Sequence, residues 1–76
     1  MNQILEILQD IRPDYDFASS PNFIVDSLLD SFDIITLTSE LEENYAIRIQ
    51  TEDIVPENYQ NIDSIANLVR KYGGIV

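Results

Sequence analysis

The apolar residues of this chain fall into three blocks with helical spacing. In the first, Ile4, Leu5, Ile7, Leu8 and Ile11 recur at three- and four-residue steps. That spacing makes one wide apolar stripe and predicts a helix over residues 3–12. Asn2 suits the N-cap, and Pro13 ends the helix by biasing Arg12 away from helical angles. In the second block Ile34, Leu37, Leu41 and Tyr45 stand at i, i+3, i+7 and i+11, which predicts a helix over residues 31–45. Asp33, Thr36, Glu40 and Glu43 form a polar stripe beside it, rotated by one residue. Asp30 is the natural N-cap, and Asp33 then falls at N3, near the positive end of the helix dipole. In the third block Ile62, Ile65, Leu68, Val69 and Tyr72 predict a helix over residues 62–72, capped by Asn61 and closed by Gly73 and Gly74. Arg70 and Lys71 in its last turn complement the dipole.

The connections between the blocks differ in character. Residues 13–29 carry the turn formers Pro13, Ser19, Ser20, Pro21 and Asn22, and read as a long loop. Tyr15, Phe17, Phe23, Ile24, Leu28 and Leu29 are scattered through it, so the loop is expected to be ordered against the core and functional. Residues 46–60 read as a connection with one short turn of helix over residues 51–55, Thr51 serving as cap and Pro56 as stop. Ile47 and Ile49 alternate with polar neighbours, but with no second strand to pair with, an extended loop is the better reading. The sum is an all-α chain: three main helices and one short one, a small four-helix bundle forming a single domain over residues 1–76.

Charge narrows the function classes. Fourteen acidic residues against 4 basic ones give a net charge of −10. Nucleic acid is therefore a poor partner, and an anionic membrane would repel the chain. At 45% apolar, in periodic blocks, the sequence is not that of a disordered acidic segment. No apolar run approaches the length of a membrane span, and the start lacks a basic signal region, so a cytoplasmic monomer is expected. Between Arg12 and Arg48 there is no cation, while Asp14, Asp16, Asp26, Asp30, Asp33, Glu40, Glu42 and Glu43 all lie in that interval. Such a run serves either as a solvated surface or as a docking face for basic partners.

Candidate chemistry is sparse. Without histidine or cysteine the chain has no thiol nucleophile, no imidazole base and no soft zinc site, and it is not expected to be an enzyme. Asp14 and Asp16 are spaced like the first ligands of a calcium loop, but Ala18, Ser19 and Val25 break that pattern. What remains is Ser31, expected at the first position of the second helix with its hydroxyl beside free backbone amides, a favourable place for a phosphate group. A serine is also common near helix starts for capping reasons alone, and both readings stand on the residues.

At this point the sequence resembles the acyl carrier protein family. The resemblance runs from Phe23-Ile24-Val25-Asp26 through Leu28-Leu29-Asp30-Ser31-Phe32-Asp33 to Leu41-Glu42-Glu43-Asn44-Tyr45 and on into the last helix. Within the family, Leu28-Leu29-Asp30-Ser31-Phe32 is similar to the attachment block of stand-alone carriers, D-alanyl carrier proteins among them. The resemblance implies that Ser31 carries covalent 4′-phosphopantetheine, added from coenzyme A by a phosphopantetheinyl transferase with magnesium. The arm would hold an acyl or aminoacyl group as a thioester, so that a chain without cysteine takes part in thiol chemistry. It further implies an acyl- or aminoacyl-activating ligase and a downstream acyltransferase or synthase as partners, read through Asp30, Phe32, Asp33, Ile35, Glu42 and Glu43. Asp26-Ser27-Leu28 is a literal copy of the family's Asp-Ser-Leu motif and periodicity does not exclude it, but the family's spacing from the modified serine to an acidic stretch like Leu41-Glu42-Glu43 implies Ser31. Stand-alone carriers often have glycine where Ser27 stands. Phe32, Thr36 and Ser39 depart from fatty-acid synthase carriers and favour an aminoacyl or specialised acyl cargo, D-alanine for cell-envelope modification included. The rival from another class is an acidic helical adaptor that carries no prosthetic group.

Overall fold

The computed structural model describes residues 3–76; Asn2, expected as the first cap, lies outside them. Along the chain run α1 (Gln3–Ile11), a 3-10 turn (Phe17–Ser19), α2 (Ser31–Tyr45), two more 3-10 turns (Thr51–Asp53 and Pro56–Tyr59) and α3 (Ile62–Lys71). Among the described residues there is no strand, and the architecture is all-helical with three α-helices. The short helix expected over residues 51–55 is instead a 3-10 turn ending at Asp53. Gln50, not Thr51, stands at its cap, and no side chain bonds there. Pro56, expected as a stop, opens the next turn. Its fixed φ suits a first helical position, and the N–H it lacks is one that position does not use.

α1 packs against both α2 and α3, and the turn Pro56–Tyr59 lies against α2 and α3. Ile4 and Leu8 of α1, Leu37 and Leu41 of α2, and Ile65 and Val69 of α3 are fully buried in one cluster. Each such aliphatic side chain removed from water stabilises the fold by roughly 1.5–3 kcal/mol. Tyr59, Phe17 and Phe23 are the largest buried side chains. None of the three belongs to a main helix, so the connections supply much of the core. The radius of gyration of 11.2 Å matches the roughly 11 Å of a compact chain of this length.

The loop over residues 13–30 is ordered, as its aromatics lead one to expect. Phe17 and Phe23 meet edge to face with centroids 5.2 Å apart. Asn22 Oδ1 accepts the amides of Ile24 and Val25, and Phe23 N donates to Gln60 O, stitching the loop to the connection before α3. Tyr15 is the exception: it stays 39% exposed, with the Arg12 guanidinium over its ring. Ile47 and Ile49 are buried in a stretch that is neither helix nor strand. The amide of Ile49 donates instead to Glu42 Oε2 at 3.0 Å.

Helix ends follow local chemistry. α1 stops at Ile11, one residue short of the expected end, because Pro13 disfavours helical angles at Arg12. α3 is capped by Asn61, whose side chain accepts Ser64 N at 2.8 Å. It closes with Gly73 at φ +91°, while Gly73 N and Gly74 N return to Arg70 O and Val69 O, the pattern of a Schellman motif. α2 ends on Ala46, a non-glycine residue in the left-handed region at φ 54°.

Candidate functional site

The first turn of α2 is built by reciprocal hydrogen bonds. Asp30 Oδ1 accepts Asp33 N at 2.8 Å, and Asp30 N donates to Asp33 Oδ2 at 3.2 Å. This closed capping box satisfies two amides that a helix start leaves free. It places Ser31 at the first helical position, exposed at the positive end of a 15-residue helix. Ser27, the other candidate, sits four residues earlier in a tight turn, with Ser27 N donating to Ile24 O and φ at 58°. It has no helix start beside it. Its left-handed backbone is one that glycine adopts without strain and serine does not.

Beside Ser31 opens an apolar recess of about 320 Å³, lined by Ser31, Ile34, Ile35, Thr51, Ile54 and Pro56. On the outer side Phe32 is 74% and Ile35 61% exposed. Large apolar groups left in water at a helix start, next to a recess, mark a contact surface rather than a core.

The acidic residues expected to face partners divide into three groups. Asp30 and Glu43 are exposed. Glu42 is half-buried and its carboxylate is engaged by the Ile49 amide. Asp33 is a correction to the sequence reading: it is only 4% exposed and belongs to the buried side of α2, not to a solvated stripe. The cause is Arg12, whose Nε and one terminal nitrogen both reach Asp33 Oδ1 at 3.0 Å. A carboxylate leaves water readily only when a cation and hydrogen bonds replace the solvent.

The same cluster sets the electrostatics of the site. The Asp33 amide, first of all, holds the Asp30 carboxyl below the ordinary carboxylate range, and the Arg12 guanidinium acts in the same direction. Arg12 in turn is raised, chiefly by its hydrogen bond to Asp33 and then by that residue's charge. Among the described residues no group of three or more His, Cys, Asp or Glu is arranged to hold a metal ion. No described helix is long and apolar enough to cross a membrane.

Sequence reasoning missed Arg12, Thr51, Ile54 and Pro56 at this site. For Arg12 there was a signal: it is the only cation before Arg48, and so the only nearby counterion for the acids around Ser31. For the other three there was none, since they reach Ser31 only through packing. Comparison with protein-family models, curated proteins and solved structures returned no match.

Proposed function

We propose that this chain is a carrier domain whose Ser31 is esterified with 4′-phosphopantetheine, and that it delivers acyl or aminoacyl groups to partner enzymes. The observation that carries this reading is the exposed Ser31 hydroxyl at the start of α2, between the apolar recess and the exposed Phe32 and Ile35. In the modification, Ser31 Oγ bonds to the phosphorus that bears pantetheine in coenzyme A. The bond to the adenosine-bearing phosphate breaks, and the hydroxyl proton passes to the transferase. The helix dipole and first-turn amides favour the phosphate ester at this position. Once attached, the arm supplies the thiol that holds cargo as a thioester. The chain itself provides no catalytic group; it raises the effective concentration of cargo at each partner. On this reading the turns at Thr51–Asp53 and Pro56–Tyr59 take the place of the short helix in an acyl-carrier-like four-helix bundle. The departures at Phe32, Thr36 and Ser39 favour an aminoacyl or specialised acyl cargo, D-alanine included, over the cargo of a fatty-acid synthase.

Intact-mass measurement after incubation with coenzyme A, magnesium and a broad-specificity phosphopantetheinyl transferase tests the proposal. One phosphopantetheine mass is expected on the parent and on Ser27→Ala, and none on Ser31→Ala. A parent chain that gains no mass would leave the acidic adaptor as the better reading.

A further inference from the structure

Arg12 lies outside the residues that the carrier resemblance points to, yet it reaches both acids of the capping box that holds Ser31. Its guanidinium stands 6.0 Å from the Tyr15 ring centroid. Two of its nitrogens reach Asp33 Oδ1 at 3.0 Å, and one lies 3.8 Å from Asp30 Oδ2. The other Asp33 oxygen holds the Asp30 amide, and Asp30 in return holds the Asp33 amide. A continuous chain of contacts therefore runs from the end of α1, through a buried carboxylate, to both residues that flank Ser31 and Phe32.

We propose that Arg12 is a positioning residue for the modification of Ser31. Clamped by Tyr15 and Asp33, it keeps the capping box closed and so fixes the direction in which the Ser31 hydroxyl is presented to a transferase. This rests on the carrier reading of Ser31. The argument is one of charge and burial. Without Arg12, Asp33 is a nearly buried carboxylate with no counterion, three residues from Asp30 on the same helix start, and like charges at that spacing repel. Asp33 then turns toward water, its Oδ2 releases the Asp30 amide, and the first turn carrying Ser31 frays. Lysine at position 12 would supply the charge but not the two-nitrogen contact with Asp33, so it should rescue only in part.

The test combines a rate with a readout that needs no modification. Arg12→Gln, Arg12→Lys and the parent are compared for kcat/KM in the transferase reaction. Hydrogen exchange at the Asp30, Asp33 and Ile34 amides is measured on the same unmodified proteins. Arg12→Gln should slow modification and speed exchange at those amides by about fivefold or more, the scale of a lost helix cap, with Ile65 to Val69 in α3 unchanged. Arg12→Lys should fall between. Lys71→Gln, which breaks the separate Lys71–Asp53 ion pair, controls for a general loss of stability. The proposal is overturned if first-turn exchange in Arg12→Gln equals that of the parent, or if Lys71→Gln slows modification as much. A parent that accepts no phosphopantetheine defeats the carrier reading and the role in modification with it, whereas parental exchange in Arg12→Gln defeats the clamp alone.

Discussion

The buried pair Thr38–Tyr59 allows a sharp test of how α2 is fastened to the turn beneath the recess. Thr38 Oγ1 lies 2.8 Å from Ile34 O and 2.5 Å from Tyr59 Oη. A hydroxyl has one proton. Ile34 O can only accept, so the Thr38 proton goes there and the Tyr59 hydroxyl donates to Thr38. The two residues are therefore unequal. Thr38→Val removes the acceptor and strands the hydroxyl of a tyrosine that has no exposure at all. The penalty for such an orphaned donor is about 1–3 kcal/mol. Tyr59→Phe removes the donor and leaves Thr38 still bonded to Ile34 O, costing only about 0.5–1.5 kcal/mol. For 76 residues the whole stability is about 4–11 kcal/mol, so the first change is a large fraction of it and should lower Tm by roughly 5–20 °C. The double variant should be no less stable than Thr38→Val, since nothing polar is then stranded. Urea unfolding of the parent, both single variants and the double variant gives the coupling energy directly. Equal losses for the two single variants, or a double variant whose loss is their sum, would refute the donor assignment and the claim that this bond ties the two elements together.

The remaining predictions concern backbone, pH and charge. Ser27 and Ala46 occupy left-handed backbone at φ 58° and 54°, so Ser27→Gly and Ala46→Gly should each stabilise by about 0.5–1 kcal/mol, and an unchanged or lower Tm would count against the geometry. Asp53 is held below the ordinary carboxylate range by Lys71 first and Tyr72 second, and Asp30 is held low by the Asp33 amide. Unfolding then takes up protons in acid, so stability should be full above about pH 5 and fall as pH drops through about 4. Asp53→Asn should flatten part of that acid limb, and an unaltered slope in Tm against pH would refute the assignment. Burial raises Tyr59, which favours its neutral form, so stability should also decline as pH rises past about 10. On the carrier reading, Glu43→Gln should slow transferase encounter more at low salt than at high salt and leave Tm unchanged, because Glu43 is exposed. Glu42→Ala should instead lower Tm, because it removes the oxygen that accepts the Ile49 amide.

Much of the local architecture was legible because its causes lie within a few residues of one another. The apolar steps of Ile34, Leu37 and Leu41 predict α2, and its observed span, Ser31–Tyr45, agrees with that expectation. Asp30 and Asn61 cap as their positions suggest, since a cap bonds an amide three residues on. The aromatic content of the long loop pointed to an ordered segment, and Phe17 and Phe23 are buried. Tyr15 and Asp33 read less well for a single reason. An aromatic in a loop and an acid on a helix have several acceptable surroundings, and Arg12 chose for both.

What the sequence by itself determined, then, was the three main helices, the caps Asp30 and Asn61, and the location of Ser31 at a helix start. Those features depend on periodicity and on bonds between neighbours in the chain. Only the tertiary structure decided that Asp33 is buried and paired, that Glu42 braces Ile49, that Thr38 meets Tyr59, and that Ile54 and Pro56 stand beside Ser31. Arg12 and Asp33 are 21 residues apart, as are Thr38 and Tyr59. No short-range pattern can bring such partners together. They meet because the apolar stripes of α1, α2 and α3 share one core, and burying those stripes fixes which polar groups must find each other at its edge.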